Sequence, residues 1–170
     1  INTLAYSYDG ITWLLPDTPP FSSDISCNAV AWNGQMWVAC SNDSTNTLAY
    51  SYDAIDWYPS DNLIFSSFGN AVGWNGQMWV AVGAGAVNTL AYSYDAINWT
   101  GLENTIFSEL GYSIAWNGQM WVSSGQGTNT LAYSYDGINW TGLNETSSPP
   151  SPFTNAKTGY SIAWNGQMWV

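Results

Sequence analysis

The chain has no arginine and no histidine, and Lys157 is its single base among 170 residues. Each absence excludes something. A histidine general base is impossible. A basic footprint that could neutralise phosphates is missing, so nucleic acid is excluded as a partner. Twelve acidic residues leave a net charge of −11, which also disfavours anionic membrane surfaces and favours solubility. No apolar run approaches membrane-spanning length, so membrane insertion is not expected. No helical periodicity of apolar residues appears anywhere. With two cysteines and no histidine, zinc-type ligand spacing cannot occur, and no cofactor or metal is expected. The glycine-containing stretch at 83–85 precedes a strand rather than a helix, so it is no phosphate cradle.

What the chain has in abundance is aromatic rings, 12 Trp and 11 Tyr, and repetition. Asn-Thr-Leu-Ala-Tyr-Ser-Tyr-Asp occupies 2–9, 46–53, 88–95 and 129–136; Trp-Asn-Gly-Gln-Met-Trp-Val occupies 32–38, 74–80, 116–122 and 164–170. A period near 42 residues marks a supersecondary unit that hides its faces only by stacking on its own copies. The third repeat reads as four short strands. Residues 112–116 alternate and are β-rich, 119–122 return, 131–135 form a third strand, and a fourth begins at 138–140. Asn-Gly is a strong hairpin signal, with a type I′ turn expected at Asn33-Gly34, Asn75-Gly76, Asn117-Gly118 and Asn165-Gly166. Four antiparallel strands in about 42 residues are one blade of a β-propeller. The expected fold is therefore all-β: a single repeat domain over 1–170 with blades at 27–57, 69–99 and 111–140. A fourth blade is split between half-blades at 1–13 and 159–170. The start at Ile1, inside a repeat, leads us to expect a processed or incomplete chain.

Counting outward from a two-residue turn pairs Trp32 with Gln35 and, five steps on, Cys27 with Cys40. That is a non-hydrogen-bonded pair with close Cα atoms, which suits a disulfide and an oxidising compartment. Two buried thiols are the alternative. Four N-glycosylation sequons, at Asn42, Asn98, Asn139 and Asn144, also point outside the cell. Trp37, Trp79, Trp121 and Trp169 recur once per repeat and are expected to pack between blades; a sugar platform of Trp and Tyr with the variable loops is the rival role.

The segments carrying Ser7, Asp9 and Trp13 and their copies at Ser134, Asp136 and Trp140 resemble the Asp-box, or BNR repeat, of sialidase-like propellers. The middle copies carry Ser51, Asp53 and Trp57, then Ser93, Asp95 and Trp99, with Ala54 and Ala96 where the outer copies have glycine. Gly10 follows Asp9 directly, one residue sooner than the usual motif. The resemblance implies a turn between the third and fourth strands, capped by Ser and Asp, with the Trp packed between blades. It implies little about activity, because the repeat occurs in enzymes, receptors and structural proteins. Sialidases of this fold hold a substrate carboxylate with arginines, which this chain lacks. The irregular acids Asp17, Asp24, Asp61, Glu103, Glu109 and Glu145 read as solvated loop residues rather than a glycosidase pair.

The expected role is a non-enzymatic structural or adhesive repeat protein, extracellular or on a cell or virion surface. Self-association through complementary half-blades, as a ring or a filament, is the expected partnership, with closure within one chain as the other possibility. A glycan-binding lectin is the alternative, with glycans as partners; a glycoside hydrolase is a third reading.

Overall fold

A computed structural model describes residues 3–151, 153 and 158–170, so Asn2, Pro152 and Lys157 lie outside the described residues. It is all-β: twelve strands form three four-stranded antiparallel sheets. Sheet 1 holds β1 (Cys27–Trp32), β2 (Trp37–Ser41), β3 (Leu48–Ser51) and β4 (Trp57–Pro59). Sheet 2 holds β5 (Phe68–Trp74), β6 (Trp79–Ala84), β7 (Leu90–Ser93) and β8 (Thr100–Gly101). Sheet 3 holds β9 (Leu110–Trp116), β10 (Trp121–Gln126), β11 (Leu131–Ser134) and β12 (Thr141–Leu143). Strand order follows chain order in every sheet, so each is a meander. The first strand of each sheet lies against that of the next, β1 on β5 and β5 on β9. Flanking them, Tyr6 bridges Leu14, and Trp164 bridges Trp169, as partial copies of the same pairings.

The hairpin turn differs from the expected one. Trp32 pairs with Trp37, not with Gln35, and Trp74 with Trp79 and Trp116 with Trp121 likewise. The loop is four residues because the Asn33 side chain acts as a carbonyl: its Oδ1 accepts the N–H of Gln35 (2.8 Å) and of Met36 (2.7 Å). Only the glycine of each Asn-Gly pair takes positive φ, between 97° and 100°, at Gly34, Gly76, Gly118 and Gly166. A type I′ turn needs positive φ at both central residues, so that expectation is corrected.

The cysteine pairing is corrected with it. A β-bulge at Asn28 removes one position from the ladder, so Cys27 faces Ser41 while Cys40 faces Ala29. Both thiols are free. Burial pushes Cys27 up to about 11 and Cys40 well above its ordinary value, so both stay protonated. The bulge recurs at Asn70 and Tyr112. It turns the Asn outward to bind the neighbouring sheet: Asn28 Nδ2 donates to the Gly69 carbonyl (2.8 Å) and Asn70 Nδ2 to the Gly111 carbonyl (2.7 Å).

The core lies between sheets. Trp79 of sheet 2 packs into Met36, Val38, Cys40 and Leu48 of sheet 1. Trp121 of sheet 3 packs into Met78, Val80, Val82 and Leu90 of sheet 2. Both rings are fully buried. Glycine lets the first strand come close: a Cβ on Gly111 would stand 2.6 Å from Val82 Cβ. Cys27 occupies the corresponding position in sheet 1 and is only half-buried. The segments leading into sheets 1, 2 and 3 are irregular, yet each holds a buried phenylalanine, Phe21, Phe65 or Phe107.

Two stability outcomes follow from this packing. Trp121→Ala is expected to cost about 3–5 kcal/mol in urea unfolding, and Trp13→Ala, at 62 % exposure, less than about 0.5. Equal costs would contradict core packing between sheets. Gly111→Ala is expected to destabilise by about 1–3 kcal/mol through overpacking, whereas Cys27→Ala changes little.

Candidate functional site

The repeated acids are spent on turns. In the first copy Ser7 Oγ donates to Asp9 Oδ1 (3.0 Å) and accepts the N–H of Gly10 (2.9 Å). Asp9 Oδ1 also accepts the N–H of Ile11 (2.8 Å) and Thr12 (2.7 Å). The same set recurs at Ser51 and Asp53, at Ser93 and Asp95, and at Ser134 and Asp136. The turn requires positive φ at the residue after the Asp, and Ala54 (66°) and Ala96 (63°) adopt it as Gly10 (74°) and Gly137 (76°) do. The turn's indole then folds back: Trp57 and Trp99 donate Nε1–H to the carbonyls of Ala54 and Ala96 at 3.0 Å, and Trp140 to Gly137 at 3.1 Å. Trp57 and Trp99 are buried and Trp140 half-buried, while Trp13 is largely exposed.

These bonds favour the ionised carboxylates. The N–H groups of Thr12 and Ile11 hold Asp9 well below the usual range, and those of Asp56 and Ile55 lower Asp53. The Asn139 amide does the same for Asp136. At Asp95, desolvation raises the value, but hydrogen bonds from the Asn98 side chain and N–H outweigh it and bring it to about 2. Desolvation also opposes ionisation at the buried Asp43, and bonds from Thr45 and the Ser22 N–H win there too.

The irregular acids Asp17, Asp24, Asp61, Glu103, Glu109 and Glu145 are all exposed. No group of three or more Cys, Asp or Glu side chains is placed to hold a metal among the described residues. Of the sequons, Asn42, Asn98 and Asn139 are exposed and Asn144 is half-buried. Asn98 and Asn139 donate their Nδ2 to Asp95 (3.1 Å) and Asp136 (2.7 Å). Asn144 Nδ2 donates to Asn129 (3.0 Å), and Asn28 donates to Asn42 Oδ1.

Two concave regions stand out. A groove of about 730 Å³ runs between the turns of sheets 1 and 2, lined by Gln35, Tyr52, Trp74, Tyr94 and Asp95 among others. An apolar hollow of about 270 Å³ lies beside sheet 1, between Leu4, Tyr6, Trp13, Trp37 and Trp57. In the sequence alone, Trp and Tyr weigh together as rings that could stack on sugars, and neither Tyr52 nor Tyr94 is singled out. The available signal was the Tyr-Ser-Tyr spacing: alternate side chains share a sheet face, so the second Tyr of each pair stands at the turn.

No protein-family model and no curated protein matches the chain.

The pH dependence has a definite sign. A carboxylate with a depressed folded pKa contributes stability above its unfolded value, near 3.9, and that contribution disappears as pH falls through the folded value. Stability is therefore expected to be flat from neutrality to about pH 4 and to fall from there towards pH 2 as the turn aspartates and Asp43 protonate. Denaturant midpoints measured across that range check it; a profile unchanged down to pH 2 contradicts the capping role.

Proposed function

We propose that this protein is a non-enzymatic structural and adhesive repeat protein, acting outside the cell or on a cell or virion surface. Its three sheets are read as successive blades of a β-propeller built on Asp-box turns. The observation that carries this reading is the uniform use of the repeated acids: each of the four is consumed in capping its own turn. The exposed sequons Asn42, Asn98 and Asn139 support an extracellular site.

Self-association is part of the reading. Wherever one sheet follows another, a Trp-Asn-Gly-Gln-Met-Trp-Val hairpin supplies the Met and Val that sit between a Leu of the third strand and the next Trp. Beside sheet 1, Leu4 and Trp37 face the 270 Å³ hollow instead. The hairpin at 164–170 carries Met168 and Val170, which are 56 % and 81 % exposed. In the register of the second and third strands, Trp169 of one copy would face Ser7 of another, and Val170 would face Tyr6, as Trp121 faces Ser134 and Val122 faces Tyr133. Among the described residues, no hydrogen bond or bridge joins 3–18 to 158–170 within one chain, which favours a second copy as the occupant. Copies joined this way form a ring or a filament.

Mass in solution tests this reading. Oligomers growing with concentration are expected, reduced to monomer by Met168→Asp combined with Val170→Asp at unchanged thermal midpoint. Monomer at every concentration would overturn it.

A further inference from the structure

We propose that the groove between the turns of sheets 1 and 2 binds a neutral saccharide, with a sugar ring laid on Tyr52 or Tyr94. This gives the adhesive half of the proposed function a ligand, and in that sense it rests on that reading. It does not depend on self-association.

Three independent features of the groove carry the inference. The first is the state of its tyrosines. Tyr52 and Tyr94 are 60 % and 64 % exposed. Each is nevertheless held in place, edge-on to Tyr50 (6.0 Å, 82°) or to Tyr92 (5.8 Å, 80°), at the shoulder of a turn fixed by its Ser and Asp. A fixed aromatic surface in water costs little further entropy when a ligand lands on it. The C–H face of a pyranose is the polar ligand surface that best matches an aromatic plane. Trp74, paired with Trp79 at 5.0 Å, adds a second aromatic wall.

The second feature is the polar atoms left over. The hydroxyls of Tyr52 and Tyr94 and the side-chain amide of Gln35 hold no hydrogen bond among the described residues. They offer donors and acceptors of both kinds, the complement of sugar hydroxyls. The Asn33 Oδ1 and the Asp95 carboxylate, by contrast, are engaged by backbone N–H groups of their own turns and shape the site rather than contact the ligand. A volume of about 730 Å³ falls within the range of sites that hold small organic ligands, about 300–1,000 Å³.

The third feature is charge, which selects among saccharides. Among the described residues, the groove contains the ionised Asp95 and no cation, on a chain with net charge −11. Sialylated, uronic or sulfated sugars would meet repulsion with nothing to pair with them, so the ligand is uncharged. The same elements recur along the chain: Tyr8 and Tyr135 are 85 % and 69 % exposed, and Gln77, Gln119 and Gln167 repeat the position of Gln35. A polymer with repeating units could engage neighbouring turns at once, which raises avidity with no new type of contact.

The experiment titrates the full-length chain with neutral gluco-, galacto-, manno- and N-acetylglucosamine oligosaccharides, followed by tryptophan fluorescence and calorimetry, with uronic and sulfated oligomers as controls. Saturable binding to at least one neutral series is expected. Tyr52→Ala and Tyr94→Ala should weaken it about tenfold or more at unchanged thermal midpoint, and Tyr94→Phe should retain most of it because the ring face remains. Blank titrations at millimolar neutral sugar, preference for an anionic series, or alanine variants that lower the thermal midpoint but not affinity would each overturn the proposal. Solution mass reads a different surface, so failure of self-association and failure of saccharide binding are distinguishable.

Discussion

The structure depends on one contact made twice: the tryptophan that opens the second strand of a sheet enters the aliphatic second strand of the sheet before it. A four-stranded meander of strands mostly three to seven residues long has too little area on either face to stand alone. Trp79 and Trp121 are the large rings that bridge one sheet to the next, and both are fully buried. A ring of that size removes more apolar surface than any neighbouring side chain, so it dominates the interface. Two other devices serve it. Glycine at 69 and 111 lets the incoming first strand approach, because a Cβ there would stand within 2.8 Å and 2.6 Å of the preceding sheet. The bulged asparagines then tie the edges together across the gap.

This arrangement explains why the same words in the sequence mean different things in different places. Trp13 and Trp57 close the same motif, yet one is 62 % and the other 6 % exposed. Trp57 lies on Phe21, Ala39 and Ala49 of its own and neighbouring segments, while no hydrogen bond to Trp13 Nε1 exists among the described residues. Burial in a serial stack belongs to the pair of units, not to the unit. The half-buried Cys27, at a position where glycine is needed elsewhere, has the same origin: among the described residues, no four-stranded sheet precedes sheet 1.

Period, strand content, chain-ordered meanders and the Ser–Asp turns were legible in the sequence because each is local or repeated. Register was not. It was decided by a side chain imitating backbone, Asn33 Oδ1 taking two N–H groups, which widened a two-residue loop to four. The signal lay in the pair of tryptophans flanking the loop, whose rings meet at 4.8–5.2 Å across each of the four hairpins. The bulge at Asn28 was invisible for a different reason: its cause lies in the next sheet, some forty residues away. Together these two effects separate Cys27 from its expected partner. The phenylalanines at 65 and 107 were hidden in stretches whose proline, serine and glycine content reads as loop, although their rings are as buried as any in the core.

The turn chemistry and the exposed tyrosines belong to one argument. The Oδ1 of each repeated acid accepts three turn hydrogen bonds, one from the Ser hydroxyl and two from backbone N–H groups. A turn so tightly satisfied is rigid, and a rigid surface loses little further entropy when it meets a partner. What the turn presents outward is then its aromatic shoulder. Each repeat holds one half-buried tyrosine on the ladder between third and fourth strands and one exposed tyrosine at the turn, braced against the first. The inner ring belongs to folding and the outer to the surface. Both side chains stand two residues apart on one face of the strand, and that face ends where the turn begins, so the second ring is left exposed.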